Sequence, residues 1–131
     1  MDELPIRTGD DVVRVRQQVR VVAATSGLSL VDQTKVVTAA SELARNALVH
    51  GGGGLARVEM VTSGNGRKGV RIGFSDEGPG IADVDVALTD GWSSGDGLGL
   101  GLSGARRLVD EFELTSKPGS GTSVVVVKWS R

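Results

Sequence analysis

The chain has 131 residues, a formal net charge of -1, no cysteine and one histidine. This length suits a single domain, residues 1–131, with one hydrophobic core. The composition excludes disulfides, thiolate metal sites and histidine-rich metal clusters, and a near-neutral charge without a long basic run argues against nucleic acid or a membrane surface as partner. Because there is neither a basic leader nor an apolar run of membrane-spanning length, we expect a soluble cytoplasmic protein.

The first half of the chain predicts a strand, two helices and a hairpin. Residues 4–8 favour a short strand, and Asp10 is a candidate N-cap for an amphipathic helix over residues 11–25. A second helix, over residues 31–49, has apolar residues at three- and four-residue steps. The alternating apolar residues on either side of residues 63–66 then predict an antiparallel β-hairpin.

The second half predicts a further helix and two strands. Residues 83–89 favour a weak, short helix, and the helix after the loop at residues 90–101 has an apolar side that reaches Phe112. Strands are expected at residues 113–117 and 122–129, the second apolar on both faces and therefore interior to the sheet. Helices collected on one face of such a sheet predict an α/β (α+β) sandwich of two layers, with a mixed, mostly antiparallel sheet.

Glu42 and Asn46 lie one helical turn apart on the second predicted helix and therefore share a face. The oxygen of a carboxamide is a hard, neutral ligand suited to Mg²⁺. A carboxylate beside it could take a proton from an attacking hydroxyl. Taken alone, this spacing is also typical of a solvated polar face.

Asp76 ends a predicted buried strand and is followed by a glycine-proline turn. An ionised carboxylate only accepts hydrogen bonds, so it suits a base with an exocyclic amine, such as adenine. Gly78 and Gly80 have no β-carbon and would let a flat ring approach the backbone closely. Taken alone, the pattern D-x-G-x-G is more typical of a plain turn.

Two further glycine clusters each precede a predicted element. Residues 95–101 lead directly into a helix, where free backbone N–H groups favour a phosphate, although such a loop is also typical of a flexible connection. The segment lacks the G-x-x-x-x-G-K-[ST] pattern, and no strand immediately precedes it, so it is neither a Walker A loop nor a dinucleotide fingerprint. Residues 119–122 form a tight turn or place Thr122 as a small donor and acceptor at the start of the last strand.

These four motifs, in this order over residues 31–131, resemble the N, G1, G2 and G3 boxes of the GHKL superfamily. The resemblance implies the Bergerat ATP-binding fold, with ATP and Mg²⁺ as cofactors and Asn46 as the metal ligand. It implies that Asp76 reads the adenine amine and that Thr122 supports Asp76. The other nucleotide-binding positions that it implies are Gly78, Gly80 and Ile81 in the turn, and Gly95, Gly97, Leu98, Gly99, Leu100 and Gly101 in the phosphate lid.

Within this superfamily, Glu42 indicates a hydroxyl acceptor, because serine is a poor nucleophile until a base removes its proton. This favours a free-standing serine/threonine kinase. Within that branch the chain resembles the RsbT-like kinases of partner-switching systems, in residues 41–46, 76–81, 90–95, 108–112 and 128–131. That resemblance implies phosphorylation of STAS-domain proteins (RsbS/RsbR-like) and activation of a PP2C-type phosphatase (RsbU-like). An RsbW-like anti-sigma factor that binds a sigma factor, or a catalytically silent nucleotide-binding switch, is the alternative.

One departure from the anti-sigma kinases is the lack of any Arg or Lys between Gly80 and Gly101. A cation in the lid would normally offset the charge of the γ-phosphate. In this chain we expect Mg²⁺, the start of the following helix, and Arg45 or Arg106 to serve instead, with slow turnover as a result.

Overall fold

A computed structural model describes residues 2–80 and 101–131 of the chain. In these residues five strands form one sheet in the spatial order β1-β2-β3-β5-β4, and every pairing is antiparallel. The described elements are β1 (Asp2–Ile6), α1 (Gly9–Thr25), α2 (Leu30–Val49), β2 (Gly54–Thr62), β3 (Lys68–Asp76), α3 (Leu102–Arg107), β4 (Glu111–Ser116) and β5 (Thr122–Trp129).

The helices pack on one face of the sheet. Val58, Ile72 and Val126 point to that face from β2, β3 and β5 and are at most 1% exposed, whereas Arg57 and Arg71 on the other face are exposed. Since successive side chains of a strand alternate between faces, the face under the helices is buried and apolar at these positions, whereas the other face carries exposed charged residues on β2 and β3. The predicted two-layer sandwich is confirmed.

The core between the layers fixes the orientation of α2. Val36, Ala40, Leu43, Ala44 and Ala47 form its buried stripe, and each is at most 4% exposed. Burying a large aliphatic side chain contributes about 1.5–3 kcal/mol, so rotating this helix would be costly. The stripe with Glu42 and Asn46 is held at the edge of the core.

Two boundaries in the first half differ from the sequence-based expectation. The N-cap of α1 is Thr8 rather than Asp10: the Thr8 hydroxyl accepts from the N–H of Asp11 at 3.3 Å, and the Asp11 carboxylate accepts from the N–H of Thr8 at 3.1 Å. This reciprocal capping box satisfies two N–H groups that the helix leaves unpaired. It also draws Thr8 out of the first strand, which therefore ends at Ile6.

The third described helix is shorter than expected. It ends at Arg107, and Phe112, expected on its apolar side, belongs to β4, which starts at Glu111 instead of residue 113. Phe112 and Leu114 are half-buried while Glu111 and Glu113 are exposed, and this two-residue alternation fits a strand. The expected hairpin and the interior position of residues 122–129 are confirmed.

A cluster of ion pairs around the buried Lys128 links the start of α2 to the end of β5. Lys128, on the helix face of β5, is only 4% exposed, and its Nζ lies 3.7 Å from Asp32 Oδ1 and 3.5 Å from Asp110 Oδ1. Arg131 contacts the same two carboxylates at 3.8 Å and 2.9 Å. The cluster therefore ties α2 and the residue before β4 to the end of β5.

None of the described helices has the length and apolar character needed to cross a bilayer.

Candidate nucleotide-binding site

Glu42 and Asn46 lie on the polar stripe of α2, at the edge of the core. The side chain of Glu42 keeps 38% of its surface exposed, and Asn46 is half-buried. The Oε1 atom of Glu42 accepts a hydrogen bond from Nη1 of Arg45 at 3.2 Å. The predicted base is thus partly shielded from solvent and stands beside a guanidinium group.

Asp76 is the last residue of β3, and its Oδ1 accepts a hydrogen bond from the backbone N–H of Gly78 at 2.9 Å. Gly51, just beyond α2, packs so tightly on this side chain that a β-carbon there would lie 2.4 Å from Asp76 Cγ. The N–H of Gly51 donates to the carbonyl oxygen of Asn46 at 3.2 Å. Asp76 and Asn46 therefore lie at the same end of the molecule, joined through Gly51.

The turn after Asp76 packs against the turn before β5, backbone to backbone. The N–H of Gly119 donates to the carbonyl oxygen of Pro79 at 2.7 Å. Gly80 has φ 76°, and a β-carbon on it would lie 2.0 Å from the carbonyl oxygen of Lys117. Gly121 has φ 78°, and a β-carbon on it would lie 2.1 Å from the carbonyl oxygen of Asp76. Any larger residue would clash with the backbone here. Two separate glycine motifs of the sequence thus form one continuous wall.

Thr122 lies directly opposite Asp76 in the β3–β5 pairing and opposite Ser116 in the β4–β5 pairing. Its Oγ1 is 2.9 Å from Ser116 Oγ, and the Ser116 hydroxyl is also 3.0 Å from the carbonyl oxygen of Gly121. Because a hydroxyl both donates and accepts, these contacts orient the Thr122 side chain at the base of the wall. Its support of Asp76 stays a prediction.

Gly101 brings a distant segment to Glu42. It is the N-cap of α3 with φ 65°, and a β-carbon on it would lie 2.6 Å from Glu42 Oε2. The other predicted lid residues, Gly95, Gly97, Leu98, Gly99 and Leu100, lie outside the described residues, as does Ile81.

The structure thus brings to one end of the molecule residues from four separate segments of the chain: Glu42, Asn46, Asp76, Gly78, Gly80, Gly101 and Thr122. Sequence reasoning missed Gly51, which faces Asp76, and Ser116, which holds Thr122. Gly51 belongs to a run of four glycines, residues 51–54, that directly follows α2. A glycine that ends a helix and a glycine that makes room for a carboxylate look the same in sequence; only tertiary contact separates them.

The chemistry of these groups fits a magnesium nucleotide. Asp76 offers carboxylate oxygens at the end of β3, and Asn46 offers an amide oxygen, a ligand type that Mg²⁺ accepts together with phosphates and waters. The space that the missing β-carbons of Gly78 and Gly80 leave is taken by protein backbone rather than being open to a flat ring. Glu42 could accept a proton from a hydroxyl. The set therefore suits binding of a nucleotide next to a base for group transfer.

Comparison with known sequences supports this interpretation. Residues 31–130 match the family model described as histidine kinase-, DNA gyrase B-, and HSP90-like ATPase. The chain is 45% identical over 126 residues to Serine/threonine-protein kinase RsbT of Bacillus subtilis, covering 96% of this chain and 94% of that protein. It is also 29% identical over 120 residues to an anti-sigma F factor of Thermoanaerobacter, covering 87% of this chain and 82% of that protein.

Solved structures show the same fold. The RsbU and RsbW domains of Rv1364c from Mycobacterium tuberculosis superpose with a TM-score of 0.64 at 26% identity, over 100% of this chain and 33% of that one. A blue-light activated histidine kinase from Erythrobacter litoralis superposes with a TM-score of 0.57 at 19% identity, over 95% of this chain and 41% of that one. This chain spans a third to two-fifths of the length of these two structures, and the second supports the fold alone.

The predicted GHKL resemblance is therefore confirmed, and membership in an ATPase family supports the use of ATP. The match over three quarters of the chain, together with 45% identity across nearly all of RsbT, shows that this chain belongs to the histidine kinase-, DNA gyrase B- and HSP90-like ATPase family, in its serine/threonine-protein kinase branch.

Proposed function

We propose that this chain is an ATP- and Mg²⁺-dependent serine/threonine protein kinase of a partner-switching system, and that it phosphorylates STAS-domain proteins. The observation that carries the proposal is the 45% identity to Serine/threonine-protein kinase RsbT over 96% of the chain. The position of Glu42 at the same end of the molecule as Asp76 supports it. A kinase needs a base next to the nucleotide, to take the proton of the acceptor hydroxyl.

Asp76 and the glycine wall would select the base of the nucleotide. The carboxylate would accept a hydrogen bond from the adenine amine while its other oxygen stays with the Gly78 N–H. Thr122, fixed by Ser116, would support the same edge. Asn46 would hold Mg²⁺, which neutralises charge on the transferring phosphoryl group when it is bound.

Glu42 would act as the general base. As the acceptor hydroxyl oxygen of a serine or threonine bonds to the γ-phosphorus, its proton passes to the Glu42 carboxylate and the bond between the γ-phosphorus and the bridging oxygen of ADP breaks. The products are a phosphorylated hydroxyl and ADP. The transition state is stabilised mainly by charge and positioning, so the placement of Glu42 matters more than its chemical reactivity.

The partners that we propose are RsbS/RsbR-like STAS proteins as substrates and an RsbU-like PP2C phosphatase that the kinase activates once released. The joint presence of RsbU and RsbW domains in one chain of the Mycobacterium tuberculosis protein supports a link between this fold and such a phosphatase. We place the reaction in the cytoplasm, where ATP is supplied.

The test is incubation of the purified chain with γ-labelled ATP, Mg²⁺ and a recombinant RsbS-like STAS protein. We expect label on a serine or threonine of the STAS protein, and none when EDTA is added. A STAS variant with its acceptor hydroxyl replaced by alanine is the control. Absence of transfer at millimolar ATP, with nucleotide binding intact, would contradict kinase activity.

The anti-sigma alternative rests on the anti-sigma F factors at 29% identity and on Clostridium beijerinckii anti-sigma F factor, 32% identical over 100 residues. In that case the chain would sequester a sigma factor and use nucleotide as a conformational ligand. Capture of a purified sigma factor of the sigma F type on the immobilised chain distinguishes the two functions. Tight capture without phosphotransfer would favour the alternative.

A further inference from the structure

We propose that Arg45 is a positioning residue that holds the Glu42 carboxylate in place for proton transfer. The inference rests on the proposed kinase function, in which Glu42 is the base. It does not make Arg45 a ligand of the phosphate: the guanidinium acts through Glu42.

The carboxylate of Glu42 is enclosed from two sides. Nη1 of Arg45 donates to Oε1 at 3.2 Å, from the same helix one turn further on. On the other side Gly101, at the start of α3, lies so close that a β-carbon would be 2.6 Å from Oε2 and 3.2 Å from the carboxyl carbon. Each oxygen thus has its own neighbour, and the two neighbours come from segments more than fifty residues apart.

Without the guanidinium the glutamate side chain could turn toward water. Its side chain is 38% exposed, and a glutamate has three rotatable bonds with several staggered states. Gly101 blocks movement on one side only. Arg45 therefore limits the remaining freedom, which matters because a displacement of about 1 Å in a catalytic group can cost on the order of 100-fold in rate.

The competing explanation is an ordinary surface ion pair, since Arg45 is 56% exposed. Such pairs change an equilibrium by a factor of at most about five, which is smaller than the rate loss expected from misplacing a base. The chain provides a matched pair for comparison. Arg14 and Asp11 on α1 have the same three-residue spacing, with a contact of 2.7 Å and an Arg14 side chain that is 63% exposed. That pair lies on a different helix from the site.

The experiment measures transfer from γ-labelled ATP to an RsbS-like STAS protein for the parent and for Arg45→Gln, Arg45→Lys and Arg14→Gln. We expect Arg45→Gln to lower kcat by about 10- to 100-fold with KM for ATP within about twofold of the parent. Arg45→Lys keeps the charge and should recover kcat to within about threefold. Arg14→Gln should match the parent.

A double-mutant cycle separates action through Glu42 from direct contact with phosphate. If Arg45 acts through the carboxylate, adding Arg45→Gln to Glu42→Gln should cause no further loss in single-turnover rate. A further loss of tenfold or more would overturn the positioning role, as would a parental kcat for Arg45→Gln.

The same measurements distinguish the two proposals. A parental rate for Glu42→Gln would overturn Glu42 as the base, and the role of Arg45 with it. A large loss for Glu42→Gln together with a parental rate for Arg45→Gln would overturn the Arg45 proposal alone. Thermal unfolding of every variant within about 2 °C of the parent confirms that the rates report on the site and not on folding.

Discussion

The two ends of α2 use acidic residues in opposite ways. At its start, Asp32 lies within ion-pair distance of Lys128 and Arg131, so two cations neutralise its charge and link α2 to the end of β5. Near its far end, Glu42 stands beside the start of α3, and beyond it Gly51 packs on Asp76, which accepts a backbone N–H. The start of α2 carries ion pairs around the buried Lys128, whereas at the far end Glu42 is paired with the exposed Arg45 and glycine backbone lies beside Glu42 and Asp76.

The difference shows what distinguishes a structural carboxylate from a functional candidate. A buried charge is tolerated when partners of opposite charge neutralise it, as Asp32 and Asp110 do for Lys128. The glycine backbone that packs on Asp76 and lies beside Glu42 brings no cation to neutralise either carboxylate, and the Arg45 side chain paired with Glu42 is 56% exposed. The glycine-lined end is therefore where substitutions should alter chemistry, and the ion-paired end is where they should alter stability.

The largest expected effect is that of Glu42→Ala. It should lower phosphotransfer to the STAS protein by about 10²- to 10⁴-fold, because the acceptor hydroxyl loses its base. Mg-ATP binding, measured by calorimetry, should stay nearly unchanged. Glu113→Ala, on the exposed face of the edge strand β4, is the matched control and should behave like the parent. Transfer by Glu42→Ala at the parental rate would contradict the assignment.

Asn46→Ala tests the metal at the same end. Loss of the amide oxygen should weaken Mg-dependent ATP binding by on the order of 100-fold. Asn65→Ala is the control, since Asn65 lies in the β2–β3 turn, where its side chain accepts from the N–H of Arg67. Calorimetric titration of both variants with and without Mg²⁺ is the measurement. Equal affinities for Asn46→Ala and the parent would refute the role as metal ligand.

Asp76→Asn tests recognition of the base with little change in shape. The amide oxygen can still accept from the Gly78 N–H, while the new NH₂ group would meet the adenine amine, donor against donor. We expect affinity for ATP to fall by about 10- to 100-fold and the preference for ATP over GTP to diminish. Asp10→Asn, on exposed α1, is the control. A retained ATP preference would show that another group reads the base.

Lys128→Met tests the ion-paired end. Asp32 and Asp110 would lose a buried partner, although Arg131 remains, so we expect the free energy of unfolding to fall by about 2–3 kcal/mol in urea titration. ATP affinity should stay within about twofold, and Lys68→Met, at the exposed start of β3, should be near neutral. A loss of ATP binding without a loss of stability would break the distinction between the two ends.

The smallest expected effect is the pH dependence of the stability that the Asp11 carboxylate contributes at the N-cap of α1. The backbone N–H of Arg7 at 2.8 Å, helped by the Thr8 N–H and Arg14, lowers the pKa of Asp11 from its ordinary value of 3.8. The pKa of Asp11 is lower in the folded state than in the unfolded state. Its carboxylate therefore stabilises the fold above about pH 4, and this contribution is lost as the pH falls through the folded-state pKa. Asp11→Asn should therefore melt at a lower temperature than the parent at pH 7, and the difference should narrow below pH 3. A constant difference would contradict this.

Strong periodic patterns made much of the fold predictable. The apolar stripe of α2, the alternation of the β2–β3 hairpin and the run of valines in β5 each identify an element, and their boundaries agree within one or two residues. Weak or competing signals failed. Thr8 and Asp10 are both good caps, and only the reciprocal bonds with Asp11 favour Thr8. Phe112 fits either a helix stripe or a strand, and pairing with Val126 decides for the strand.

From local sequence patterns the candidate site is predicted only as separate motifs, which the resemblance to the GHKL boxes joins into one site. Glu42 and Asn46 share a face because helix periodicity requires it, and the structure also brings Asp76, Gly80 and Thr122 to that end. Contacts between distant segments do not follow from local pattern. Gly51 against Asp76, Ser116 beside Thr122 and Gly101 against Glu42 all depend on strand register and on how α3 packs, which no single stretch of sequence encodes.

The continuity of α2 has a consequence for how this chain can vary in length. Asp32 and Glu42 belong to one uninterrupted helix, in which every residue adds about 100° of rotation and 1.5 Å of rise. A single insertion between them would swing the whole site by more than a quarter turn relative to Lys128. Homologous chains that keep both ends of this helix must therefore keep the ten-residue distance between Asp32 and Glu42.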